Sequence, residues 1–153
     1  MITHRRSEPL YRPYLKLVSD NSSVKAMVSL HYGARVDGDA ELFSRCFTPD
    51  GALTILGDRR MLPQAGRHVG RAAIRNIVSA MASDLDCLDA FLVDVIAEGD
   101  RGVVHWHMTL RGATTGSIAD FDVADHLILR DGLVASATEF IDTTSLGLLA
   151  GRI

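Results

Sequence analysis

The sequence lacks most features that mark secreted, membrane-bound or nucleic-acid-binding chains. It has only two cysteines, Cys46 and Cys87, too few for a disulfide framework or a cysteine-built zinc site. Both read as buried thiols of a reducing compartment. It has one tryptophan and 6% aromatics, with no basic-aromatic run, so a stacking platform for single strands is not expected. A net charge of -3 gives no pull toward nucleic acid or anionic lipid. No apolar run is long enough to cross a membrane. The N-terminal MITHRRSEPLYRPYLKL has arginines but no apolar stretch or small-residue cleavage site, so it does not read as a secretory signal, and the expected location is the cytoplasm. No glycine-rich phosphate loop is present.

What is present suits one globular domain: 153 residues, 47% apolar and 23% charged. A chain of this size buries roughly two-thirds of its unfolded surface. Residues 1–20, with Pro9, Pro13, Tyr11 and Tyr14 and no clear period, read as an N-terminal arm; residues 21–153 read as the domain. A first helix starts near Asn21-Ser22-Ser23, with Val24, Met27, Val28, His31, Tyr32 and Arg35 at helical spacing, and the VDGD segment stops it at Gly38. Asp39 caps a short helix that ends before Pro49, and residues 52–56 form a short strand followed by a loop. Gly70 precedes a third helix with Ile74, Ile77, Val78 and Met81 on one stripe. The period then changes to two. Residues 88–97, 103–111, 118–130 and 133–142 read as four strands, the last two joined by the Asp131-Gly132 hairpin signal. Helices first and an antiparallel meander afterwards imply an α+β fold, with the helices on one face of a curved sheet.

Three stretches carry a family resemblance. FTPDGALTI leads into the first strand, HVGRAAIRNIV opens the third helix, and EFIDTTSLGLL lies near the end of the sequence. Together they resemble the nuclear transport factor 2-like superfamily, in its SnoaL-like and ketosteroid isomerase-like branch, over roughly residues 22 to 150. The resemblance implies a cone-shaped barrel, a curved, mostly antiparallel sheet wrapped around N-terminal helices. It also implies a deep pocket and a homodimer. It leaves the reaction open, because the fold hosts isomerases, cyclases, dehydratases, epoxide hydrolases and subunits without chemistry.

Asp125 is the most informative candidate. Alternation in FDVADHLIL groups it with Phe121, Val123, Leu127 and Leu129, and a carboxylate on an apolar face is costly to ionise. Burial should raise its pKa. The step is similar to ketosteroid isomerase, where a protonated Asp donates to an oxyanion. A structural carboxylate bonded to a neighbour is the alternative. His105 and His107 share a face of VVHWHMTL with Thr109 and Arg111, and Val104, Trp106, Met108 and Leu110 share the other. By hydrophobicity alone the histidine face could simply be wet. But the strand resembles that of limonene epoxide hydrolase, whose Arg-x-Asp pair at these two positions points into the pocket. That would place at least one histidine there, and histidine is a natural proton carrier near neutrality. The Trp106 and Met108 face could be a subunit interface. Glu139 in SATEFID falls with Leu133, Ala135, Ala137 and Ile141, and is either a second catalytic carboxylate or the partner of an arginine on an adjacent strand. Asp142 reads as a turn or helix cap. At the end of the first helix, His31, Tyr32 and Asp37 are pocket candidates by similarity to scytalone dehydratase-like enzymes, with Asp37 alternatively a turn residue. Arg59, Arg60, Arg67 and Arg71 read as a basic stretch at the pocket mouth, or simply a solvated loop.

No family set survives whole. The ketosteroid isomerase base would fall on Thr54 or Ile55, and Cys87 stands where the dehydratases carry a histidine. The expected function is a cofactor-independent acid-base enzyme, of isomerase, dehydratase or cyclase type. Its substrate would be a small hydrophobic cyclic molecule in a cavity lined by Phe121, Val123, Leu127 and Ile141, without metal, nucleic acid or membrane. The alternatives are a ligand-binding or structural subunit of the same fold, and an epoxide hydrolase.

Overall fold

The computed structural model describes residues 23–152, so the N-terminal arm lies outside the described residues. Among the described residues, four helices and six strands follow in chain order: α1 (Ser23–Val36), α2 (Ala40–Arg45), β1 (Phe47–Ile55), β2 (Gly66–Val69), α3 (Arg71–Asp84), β3 (Leu85–Glu98), β4 (Arg101–Gly112), β5 (Ile118–Arg130), β6 (Leu133–Phe140) and α4 (Thr143–Leu149).

Each of the first helices ends and begins where its sequence says it should. Gly38, at φ 69°, closes α1, and the Asp39 carboxylate accepts from the Leu42 N–H at 2.9 Å to start α2. The stripe Ile74, Val78 and Met81 buries one side of α3. One helix, α4, is missing from the period count because it is short. Helix α4 is only seven residues long; Asp142 caps it by accepting from the Ser145 N–H at 3.0 Å, and Leu146 and Leu149 anchor it. Pro49 does not end the preceding element but sits inside β1, beside a register shift between Phe47 and Ala52. Strand β2, inside the segment expected to be loop, pairs antiparallel with β1 from Ala52↔Val69 to Ile55↔Gly66.

The six strands form one sheet in the order β2-β1-β6-β5-β4-β3. Strands β3 to β6 are the expected meander. Asp131 and Gly132 take φ 54° and 77°, the left-handed pair that a tight hairpin of matching twist demands. The sheet is mixed, because β1 runs parallel to β6. It is curved but open, with β2 and β3 as free edges, so the cone is not a closed barrel. Helices α1 and α3 lie on its inner face, and one contiguous core runs from Val24 and Val28 through Phe43 and Ile74 to Val104, Leu127 and Leu146. Alternation decides the faces. Val104, Trp106, Met108 and Leu110 of β4, and Phe121, Val123, Asp125, Leu127 and Leu129 of β5, all point inward. The Trp106 and Met108 face is therefore interior, not a subunit interface. Among the described residues, no helix is long and apolar enough to cross a membrane.

Candidate active site

A cavity of about 270 Å³ opens between the end of α1, the second half of α3, the start of β3 and the inner face of the sheet. Its floor includes Val78, Trp106, Met108, Leu110 and Leu146, and its polar wall is Arg35 and Glu139. Arg35 lies one turn beyond Tyr32 on the inward stripe of α1. Its guanidinium grips Glu139 with two contacts, Nη2–Oε1 at 3.2 Å and Nη1–Oε2 at 3.1 Å, with the Glu139 side chain 1% exposed. It also reaches the Met81 Sδ at 3.8 Å and lies 5.4 Å from the centre of the Phe43 ring. Burial works against the charge on Arg35, but Glu139 and then Asp125 outweigh it, so its pKa is raised.

Asp125 sits directly across the β5–β6 ladder from Glu139. It does not line the cavity. Its Oδ2 accepts from the Tyr32 hydroxyl at 2.6 Å and from the Trp106 indole N–H at 2.9 Å. Burial, and then the neighbouring Glu139 charge, push its pKa up to about 7 against the pull of Tyr32, Arg35 and Trp106. Burial, followed by the charge of Asp125, holds the Tyr32 hydroxyl well above the ordinary phenol range, so it stays a neutral donor. The result is a layered arrangement: an ion pair on the cavity wall, and behind it a second carboxyl of perturbed pKa held by two donors.

The other sequence candidates separate cleanly. Ile141 lines the cavity, whereas Phe121, Val123 and Leu127 are buried on the inner face outside it. Asp37 lies at the exposed mouth. His31 is buried off the cavity among Tyr32, Phe43 and Phe47, with ring centres 4.4 to 5.5 Å away, and its Nδ1 has no hydrogen-bond partner among the described residues. Burial, and then Arg35, lower its pKa to about 3, which keeps it neutral.

The expectation that a histidine of β4 enters the pocket is not met. His105 and His107 lie on the outer face, with side chains 43% and 25% exposed. His105 Nε2 is 2.9 Å from an Asp122 oxygen, and His107 stacks on Phe91 at 5.0 Å. The physical reason is alternation: Trp106 claims the inner face, so its neighbours point outward. Glu139 consequently supports no histidine, and its arginine comes from a helix rather than from an adjacent strand.

Cys87 is half-buried on the cavity wall, not fully buried, and burial followed by the Asp89 charge pushes its thiol up to about 11. Arg59, Arg60, Arg67 and Arg71 are not on the cavity. Arg59 and Arg71 donate to the carbonyls of Ala65 and Phe47, and Arg60 pairs with Asp58. Among the described residues, no group of three or more histidine, cysteine or acidic side chains is placed to hold a metal ion.

Arg35 and Trp106 carry this site and were not singled out for it from the sequence. A signal existed for each. A cation on an otherwise apolar helical stripe needs a buried counter-charge, and an inward indole N–H needs an acceptor.

Several solved structures share this arrangement of elements. An NTF2-like protein from Burkholderia xenovorans LB400 matches with a TM-score of 0.68 at 24% identity, covering 84% of this chain and 95% of its own. A proposed isomerase from Rhodopseudomonas palustris matches with a TM-score of 0.72 at 16% identity, covering 86% of this chain and 98% of its own. A proposed polyketide cyclase from Xanthomonas campestris pv. campestris matches with a TM-score of 0.68 at 19% identity, covering 84% of this chain and 96% of its own. No curated protein matches the chain. The model of the SnoaL-like domain matches residues 28–137, which runs from the middle of α1 into β6 and spans the Arg35, Trp106 and Asp125 positions. The chain belongs to the SnoaL-like domain family, with the NTF2-like α+β cone as its fold.

Proposed function

We propose that this protein is a cofactor-independent acid-base enzyme, of isomerase, dehydratase or cyclase type, acting on a small, largely apolar cyclic carbonyl compound in the cavity. One observation carries the reading. Two carboxyls face each other across β5 and β6 in unlike surroundings, and only Glu139 reaches the cavity. Carboxyl pairs whose environments push their protonation apart are the usual form of an acid-base site. In this reading Glu139 is the base. It takes a proton from the carbon beside a substrate carbonyl through a lone pair not engaged by Arg35. The electrons move onto the carbonyl oxygen, and Arg35, whose hold on Glu139 loosens only as that carboxylate takes up the substrate's proton, stabilises that enolate in a site partly screened from water. Return of the proton to another carbon isomerises the substrate; loss of a β-hydroxyl as water dehydrates it. Asp125 touches no substrate. It is a positioning residue, held by Tyr32 and Trp106, whose proton keeps a second negative charge away from Glu139.

The epoxide hydrolase alternative has little left to rest on, because the two positions that would carry it are His105 and His107 on the outer face. The binding-subunit alternative keeps one specific support: both Glu139 oxygens are already engaged by Arg35. The homodimer is also retained as a proposal. Phe91 and Phe140 are exposed on the outer face, and a second copy there would cover them. Light scattering that finds a monomer at micromolar concentration would overturn it.

The decisive experiment measures deuterium uptake and product formation by mass spectrometry, in heavy water, over cyclic enones, β-hydroxyketones and terpene epoxides. The reading expects exchange or conversion that Glu139→Gln abolishes. Thermal stabilisation by the same compounds without any exchange would transfer the cavity to the binding-subunit reading.

A further inference from the structure

The charges around the cavity are not balanced. Among the described residues, its lining has one cation, Arg35, and three carboxylates, Asp37, Asp86 and Glu139. Arg35 is not available to a bound anion, because both arms of its guanidinium hold Glu139. Asp86 is tied through one oxygen to Arg111 at 2.9 Å. Asp37, in the turn that follows α1, has no ion-pair or side-chain hydrogen-bond partner among the described residues. Asp37, unpaired among the described residues, and Asp86, its charge partly offset by Arg111, also have a defined place. Asp37, Gly38 and Ala82 are exposed and Asp86 is half-buried, so they form the mouth, whereas Val78, Trp106, Leu110 and Leu146 are buried on the floor. An incoming molecule therefore passes the unpaired Asp37 and the Arg111-paired Asp86 before it reaches the Arg35–Glu139 ion pair and an apolar floor. Low-dielectric walls focus such a field into the opening.

We infer that this cavity selects neutral or amine-bearing molecules and rejects free carboxylates, with Asp37 and Asp86 at the mouth as the selecting residues. The inference rests on reading the cavity as the substrate site, and it narrows the substrate class to uncharged or cationic carbonyl compounds. A carboxylate bound inside would meet Asp37 and Asp86 on the way in. It would then find no guanidinium arm free unless it displaced the buried Glu139, which would strand that charge without a partner. An ammonium or neutral amide group meets neither penalty. At the mouth an ammonium group gains from Asp37, by an amount limited by exposure and salt.

The chain supplies its own reporter. Trp106 is the only tryptophan, and it lies on the cavity wall. Cyclohexanecarboxylate, cyclohexanecarboxamide and cyclohexylmethylamine are similar in shape, do not absorb in the indole range, and differ in charge. Trp106 fluorescence titrations of the three at neutral pH and low salt should find the amide and the amine binding at least about tenfold more tightly than the carboxylate. The Asp37→Asn and Asp86→Asn variants, alone and together, should shrink that ratio toward about twofold, and so should about 0.5 M salt. Both positions are at the surface, so thermal melting of the variants should follow the parent. Equal or tighter binding of the carboxylate overturns the inference, and so does a preference that survives both substitutions and high salt. No quenching by any of the three overturns it as well. Its failure is separable from failure of the enzyme reading. Selective binding with no exchange anywhere would leave the selectivity and remove the catalysis; exchange on carboxylate substrates would do the reverse.

Discussion

The two faces of β4 and β5 carry similar residue types and make very different things of them. On the inner face, Asp125 bonds Tyr32 and Trp106 while Glu139 holds Arg35, all nearly shut off from water. On the outer face, His105 and His107 share Asp122 and Asp120 in the open. The outer contacts lower the Asp122 pKa, chiefly through the His105 hydrogen bond. The inner surroundings raise that of Asp125, chiefly through burial. One residue type thus shifts in opposite directions three residues apart on one strand, because desolvation dominates on one side and solvated pairing on the other. Histidine and aspartate in alternation say nothing about a site until the face is known.

The sharpest way to break the comparison is to remove one member of the inner ion pair. Arg35→Met leaves Glu139 buried without a counter-charge and should cost roughly 3–5 kcal/mol, read as a fall in the urea midpoint at constant slope. The double variant Arg35→Met/Glu139→Leu should recover most of that loss. If it does not, the pair shapes the fold beyond its charge.

Next in size is the pH dependence. The folded pKa of Asp125 is raised from 3.8 to about 7, so the native state holds a proton the unfolded chain has lost, and stability falls as pH rises through that window. The folded pKa of His31 is lowered from 6.5 to about 3, so the unfolded chain binds the extra proton, and stability is lost as pH falls through that window. The two slopes oppose each other where the windows overlap, between about 4 and 6.5. Denaturation across pH should therefore show a flatter parent curve there than either variant gives. Asp125→Asn should leave a stability that rises with pH, and His31→Phe one that falls with pH. At neutral pH, Asp125→Asn should be no less stable than the parent, since its amide oxygen can still accept from Tyr32 and Trp106. A loss of several kcal/mol would make Asp125 a structural anion.

The smallest effect belongs to the outer face. His105→Ala and His107→Ala should leave both the denaturation midpoint of the isolated chain and any Trp106 quenching by cavity ligands unchanged within error, because their contacts are exposed and far from the wall. A change in quenching would reopen the histidines as pocket residues.

Much of this architecture is legible from local pattern. The α1 stripe, the Gly38 stop, the α3 stripe and the Asp131-Gly132 hairpin all follow from period and turn chemistry. Strand β2 and helix α4 escape because four and seven residues are too short for a period to show. The parallel pairing of β1 with β6 escapes because it joins residues about eighty positions apart, with no local signal. The site divides in the same way. Burial of Asp125 and Glu139 is visible as carboxylates on apolar faces. Their partners are not, since Tyr32 lies 93 residues from Asp125 and Arg35 lies 104 from Glu139.

By itself, then, the sequence determined the longer elements, the alternation of the long strands, and the presence of two carboxylates on inward faces, because these depend on neighbours within one turn or one pleat. Only the tertiary structure decided that Trp106 rather than the histidines faces the cavity, that Arg35 neutralises Glu139, and that Asp125 stands one strand behind the wall. Those outcomes depend on which side of the sheet the helices cover. Burial and the pairing of charges across the fold are properties of that closed arrangement, not of any segment within it.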